Sequence, residues 1–145
     1  MLGSIIGDIV GSTYEFNNTL DYNFELFPKG STFTDDTVCT IAIADAILKG
    51  NSYQDSLHDW CNRYPGRGYG GMFRQWIHSD DPQPYNSFGN GAAMRVSPIG
   101  WAFRSSYDVL EQATFSAECT HSHPAPPTVS QRIFAKKHCH ISRKR

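Results

Sequence analysis

The 145-residue sequence predicts an all-α fold. Apolar side chains recur at intervals of three and four residues through successive segments, as on one face of a helix. No alternating apolar–polar pattern runs beyond a few residues, so no strand is expected. Gly50 and Pro65 fall where two of these segments end, at positions suited to stopping a helix.

The first helix is expected from Leu2 to Thr13, with Leu2, Ile5, Ile6, Ile9 and Val10 at helical spacing. Gly3, Gly7 and Gly11 recur every fourth residue beside that face. Each glycine costs a helix roughly 1 kcal/mol relative to alanine. Three of them call for a compensating close approach, which predicts a tightly packed helix in the middle of a bundle. Asn17 to Ser31 is polar and aromatic and reads as a surface loop.

A second helix starts at Thr34, with Asp35 and Asp36 in its first turn and Val38, Ile41, Ala42 and Leu48 behind them; Gly50 is its C-terminal cap. A third runs from about Ser52 to Tyr64, with Tyr53, Leu57, Trp60, Cys61 and Tyr64 on one side. Gly66 to Gly71 is a loop, and Met72 to Ile77 a short helix carrying Phe73 and Trp76. A second loop spans Ser79 to Gly91. Helical spacing resumes from Ala92 to Phe103, interrupted by Ser97-Pro98 as the cap of a new helix. Asp108 to Glu118 is the last helix before Thr120-His121-Ser122-His123-Pro124.

The net charge of −1 conceals an uneven distribution. Six of the 13 basic residues lie in residues 125–145, which contain no acid; this leaves seven against 14 acids in residues 1–124, a net of −7. An acidic body repels a nucleic-acid backbone and attracts cations, so nucleic acid is an unlikely partner even with the basic segment at the end. No apolar run approaches a membrane span, and the start of the chain lacks a signal-peptide pattern. Cys39, Cys61, Cys119 and Cys139 form no CxxC pair, which fits free thiols in a reducing cytoplasm. Residues 1–124 are expected to form the domain. Residues 125–145, opening with Ala125-Pro126-Pro127, are expected to be a disordered or poorly packed tail.

Four constellations carry potential chemistry. Thr34-Asp35-Asp36 offers a hydroxyl and two carboxylates to a hard cation. The same three residues also make an ordinary helix start, with acids against the helix dipole. Ser87-Phe88-Gly89-Asn90-Gly91 has the glycines and the helix start that let backbone N–H groups converge on an anion, or is a plain turn. His121 and His123, with Cys119 and His138-Cys139-His140, offer zinc ligands at a spacing too long to favour a site. His121 alone suits a ribose hydroxyl or simple loop packing. Glu15 would bind metal or act as a general base if it lies beside the acid pair, and is otherwise an acid after a helix.

Taken in order, these segments resemble the ADP-ribosylglycohydrolase family, which includes the dinitrogenase reductase-activating glycohydrolases. The matching stretches are Gly7-Asp8-Ile9-Val10-Gly11-Ser12 with Tyr14-Glu15, Phe33-Thr34-Asp35-Asp36-Thr37, Gly68-Tyr69-Gly70-Gly71, Tyr85 through Arg95, and Thr120-His121-Ser122-His123-Pro124. The resemblance implies a helical hydrolase with two Mg²⁺ or Mn²⁺ ions, acting on an ADP-ribosylated protein or a small ADP-ribosyl adduct at ribose C1. It implies Thr34, Asp35 and Asp36 as metal ligands, with Glu15, Asp35 and Asp36 as the catalytic acids. Ser87, Gly89, Asn90 and Gly91 would line the diphosphate, and His121 would sit near the ribose.

Family members are longer and carry a Gly-Asp-x-Asp-Thr segment that supplies further metal ligands. This sequence has no such segment and no acid after Glu118. The expectation is therefore a domain truncated at its C-terminus, as by a frameshift, with impaired hydrolysis. The alternative is a catalytically dead ADP-ribose-binding module or a structural fragment. Apolar faces left uncovered would favour self-association.

Overall fold

A computed structural model describes residues 1–122. The expected tail, the boundary at residue 124, His123 and the His138-Cys139-His140 triplet lie outside the described residues. Within them there are helices and no strands. The order is α1 (Leu2–Gly11), α2 (Asp35–Lys49), α3 (Tyr53–Arg63), α4 (Gly71–Ile77), α5 (Gly91–Met94), α6 (Ser97–Ala102) and α7 (Ser106–Glu118). None of these helices is long and apolar enough to cross a membrane.

α2 is the hub, packed against α1, α3, α5 and α6. Val38, Cys39, Ala42, Ile43 and Ala46 form its buried stripe, the i, i+1, i+4, i+5, i+8 pattern of one helix face. Leu48 falls off that stripe and is exposed, contrary to the expected inward placement. Gly50 ends the helix with φ of 71°, and its N–H bonds the Ala46 carbonyl, a conformation that favours glycine. In α3, Leu57 and Cys61 are buried against α2, and Ser52 caps the first turn by accepting from the Asp55 N–H. Full burial of a side chain such as Leu57 is worth about 2 kcal/mol. Phe73, Trp76 and Ile77 of α4, Val96, Ile99 of α6, and Val109 and Ala113 of α7 complete the core.

Three local expectations are corrected. Pro98 does stand in the first turn of α6, but Ser97 is inside the helix and makes no cap; its buried hydroxyl has no partner among the described residues. α7 begins earlier than expected, because Ser105 caps it through the N–H groups of Tyr107 and Asp108. Most consequential is α1. It is not in the middle of a bundle: it has no fully buried residue, and Leu2 and Ile6 are exposed. A methyl group added at Gly3, Gly7 or Gly11 would meet nothing within 4 Å. The glycine stripe instead lines an open cavity.

Candidate active site

The N-terminus of α2 places Asp35 and Asp36 side by side in its first turn, and Thr34 precedes them in an extended conformation. A threonine there would ordinarily cap the helix with its own hydroxyl. Here the cap comes from α1. Asp8 Oδ2 accepts from the backbone N–H groups of Thr34 (2.8 Å) and Thr37 (3.2 Å), and from the Thr37 hydroxyl. Asp8 Oδ1 accepts from the Thr34 hydroxyl. One carboxylate thus satisfies two orphan donors at the helix start and fixes both flanking threonines.

The loop after α3 closes over the same helix end. The Asp35 N–H donates to the Arg67 carbonyl at 2.7 Å, and the Arg67 guanidinium lies over the Phe33 ring, 3.8 Å from its centroid. Gly68 has φ of 93°, and a methyl group there would stand 3.5 Å from Asp35 Oδ1. Glycine at 68 therefore answers both to the backbone and to the acid beside it.

Asp8, Glu15, Thr34, Asp35 and Asp36 line one cavity of about 680 Å³, walled on one side by the glycines of α1. Asp35 is half-buried, and its pKa is raised from 3.8 to about 6, first by desolvation and then by the neighbouring charge of Asp36, with Glu15 and Asp8 adding to it. Asp36 is raised by desolvation, then by Asp8 and Glu15. The acids therefore crowd one another, and a cation would relieve the repulsion. The donors are hard oxygens, the chemistry that Mg²⁺ and Mn²⁺ accept. Among the described residues, however, no group of three or more Asp, Glu, His or Cys is close enough to hold an ion.

A second cavity of about 420 Å³ adjoins the first; Asp35, Gly70, Asn90 and Met94 line both. Ser87, Gly89, Gly91 and His121 line the second. The loop is held from both sides. The Ser87 N–H donates to the Thr120 carbonyl at 3.0 Å, and the Gly89 N–H donates to Ser87 Oγ at 3.1 Å. His121 meets the Gly89 carbonyl through Nε2 at 2.9 Å and the Thr120 hydroxyl through Nδ1 at 2.7 Å. Asn86 takes a positive φ of 52° as the loop opens, which asparagine tolerates better than most residues.

Glu15, Thr34, Asp35, Asp36, Ser87, Gly89, Asn90, Gly91 and His121 thus each line one of two joined cavities, whereas Cys119 of the zinc reading lines neither. Asp8 and Arg95 carry much of the local hydrogen bonding and were given no role by the sequence. For Asp8 the available signal was an acidic residue within an otherwise largely apolar and glycine-rich helix. For Arg95 there was none.

An all-helical domain with an acidic cavity at a helix start, opening into a glycine-rich loop, is the class defined by this fold and site. A sequence model of the ADP-ribosylglycohydrolase family matches residues 1–131, and the chain belongs to that family. It is similar to ADP-ribosylhydrolase ARH3 of Mus musculus (30% identical), Homo sapiens (31%) and Bos taurus (32%), in each case over 84% of the chain. The chain spans 42–43% of the length of these relatives.

Proposed function

We propose that the joined cavities bind an ADP-ribosyl group and that the domain serves the hydrolysis of its glycosidic bond at ribose C1. The observation that carries this reading is the meeting of the two cavities at Asp35 and Asn90, which sets a crowded acid cluster beside the glycine-rich loop of Ser87 to Gly91. The names of the similar proteins, ADP-ribosylhydrolases, point to the same chemistry.

Ser87, Gly89, Asn90 and Gly91 would receive the diphosphate, and the His121 ring forms the wall beside Gly91. The ribose would then extend toward Asp35 and Asp36. Thr34, Asp35 and Asp36 would hold Mg²⁺ or Mn²⁺, two ions being the expected complement. Such an ion, when bound, supplies Lewis acidity for water and for ribose hydroxyls. Glu15, on the cavity wall, would take the proton of the attacking water as its oxygen bonds to C1. The acceptor would leave with the bonding electron pair and take up the proton that Glu15 received, so that one water is added across the bond.

A second reading has its own support. The described residues bring too few acids together for a complete ion site, which suits a module that binds ADP-ribose without cleaving it. Two measurements separate the readings: Mg²⁺- or Mn²⁺-dependent release of ADP-ribose from an ADP-ribosylated protein, and calorimetric binding of free ADP-ribose. Turnover abolished by Asp35→Asn supports the hydrolase. Binding without turnover supports the module, and neither signal removes both. The unpaired thiols of Cys39 and Cys61, 3.8 Å apart, fit a reducing cytoplasm.

A further inference from the structure

Arg95 follows the last turn of α5 and is 1% exposed, yet no carboxylate pairs with it among the described residues. A buried guanidinium is costly unless its donors are used. One of its terminal nitrogens, Nη2, donates to the Ser116 carbonyl at 2.8 Å and to the Thr120 hydroxyl at 3.0 Å. Ser116 lies in the last turn of α7 and Thr120 just beyond its C-cap, Cys119, a helix end where carbonyls are short of partners and the dipole favours a cation.

The bonds beyond Thr120 have only one consistent direction for a neutral ring. The Gly89 carbonyl can only accept, so His121 Nε2 carries the proton. Nδ1 is then bare and accepts the single proton of the Thr120 hydroxyl. The Thr120 oxygen is left to accept from Arg95, which can only donate. A doubly protonated ring would instead set an imidazolium one hydroxyl away from a buried guanidinium.

We infer that Arg95, Thr120 and His121 form a directional hydrogen-bond relay whose task is to hold the Gly89 carbonyl, and so to fix the Ser87–Gly91 loop in its anion-receiving shape. The three are positioning residues: the ring nitrogens of His121 face Thr120 and Gly89, and the ring acts through the loop. The Ser87 N–H bond to the Thr120 carbonyl ties the other end of the loop to the same point. This inference rests on the reading that the loop receives a diphosphate.

The ring is read directly in ¹⁵N-labelled, ligand-free protein by long-range ¹⁵N–¹H correlation. The neutral ring of His121 is expected as its Nε2–H tautomer. An Nδ1–H tautomer of the neutral ring would overturn the relay. Thr120→Val removes the central hydroxyl and should weaken ADP-ribose binding by about tenfold, the scale of one lost buried bond. The ¹⁵N shifts of Gly89 and Gly91 should move with it, and Thr120→Ser should restore both. A folded Thr120→Val protein with unchanged affinity and unchanged loop shifts would overturn the inference, as would failure of Thr120→Ser to restore them. Wild-type protein that shows the expected tautomer but takes up no ADP-ribose would overturn the diphosphate reading itself, and the ligand-free measurement tells the two failures apart.

Discussion

Replacing Asp35 by asparagine should make the cation-free protein more stable at neutral pH, although the residue sits at the centre of the candidate site. The Asp35 carboxyl holds its proton up to about pH 6 in the folded chain, against 3.8 for the ordinary group, because burial and then Asp36 oppose its ionisation. Between these values the folded state binds more protons than the unfolded state, so the free energy of unfolding falls as pH rises. The contribution is fully present below about pH 3.8 and lost through about pH 6. A shift of this size would be worth about 3 kcal/mol for a fully buried group. Asp35 is only half-buried, and solvent screening reduces the figure to about 1–1.5 kcal/mol. Asp35→Asn removes the penalty, which at this chain length raises Tm by roughly 3–6 °C at pH 7. At pH 4 the gain should nearly vanish. Calorimetric melts of both proteins at pH 4 and 7, in chelator and then in millimolar Mn²⁺, measure it. With Mn²⁺ the order should reverse, because a cation that binds the native wild type stabilises it by mass action. A loss of stability at pH 7 in chelator, or an equal gain at both pH values, would refute the account of Asp35 as a carboxylate under electrostatic pressure.

Three further outcomes are expected. Asp8→Ala leaves the N–H groups at the start of α2 and the Thr34 and Thr37 hydroxyls without their acceptor; chemical denaturation should show a loss of about 2–4 kcal/mol, and a loss under 0.5 kcal/mol would contradict the cap. Gly68→Ala forces a side chain into φ of 93° next to Asp35; the expected cost is about 1–2 kcal/mol with weakened Mn²⁺ affinity, read by denaturation and calorimetry. Leu2 and Ile6 on α1, with Phe16 and Leu20 just beyond it, are exposed, so light scattering should show self-association that weakens in Leu2→Ser/Ile6→Ser protein. A monodisperse monomer at high concentration would contradict that expectation.

Helices were the legible part of this sequence because their signals are local. The extent of α2, the glycine cap at Gly50 and the stop at Pro65 each depend on residues within a few positions of one another, although of the residues expected inward on α2 only Val38 and Ala42 are fully buried. The short helices were less legible: Ser97 looks like a cap by composition, but Val96 occupies the cap position and the serine is carried into the helix. The glycine stripe of α1 misled for a different reason. Repeated glycines say that space is needed beside the helix, and they do not say whether a backbone or a cavity will use it. Here the space is the wall of the acidic cavity.

The same distinction explains why the acid pair was readable and its support was not. Asp35 and Asp36 are adjacent in sequence, so their crowding can be anticipated from the chain alone. The group that fixes them is Asp8, on another helix and 26 residues before Thr34. Its four bonds fall on Thr34 and Thr37, the two residues that bracket the acid pair. Nothing in the spacing of either segment requires that meeting. Once it is made, α1 is more than a wall, since displacing it would remove the helix cap and the threonine anchors together. A helix without a single fully buried residue is therefore held to the domain in part through the site it helps to build. Site geometry and α1 docking should fail as one event: in Asp8→Ala protein, hydrogen exchange should accelerate together at α1 and at the first turn of α2, while α3 and α7 stay protected.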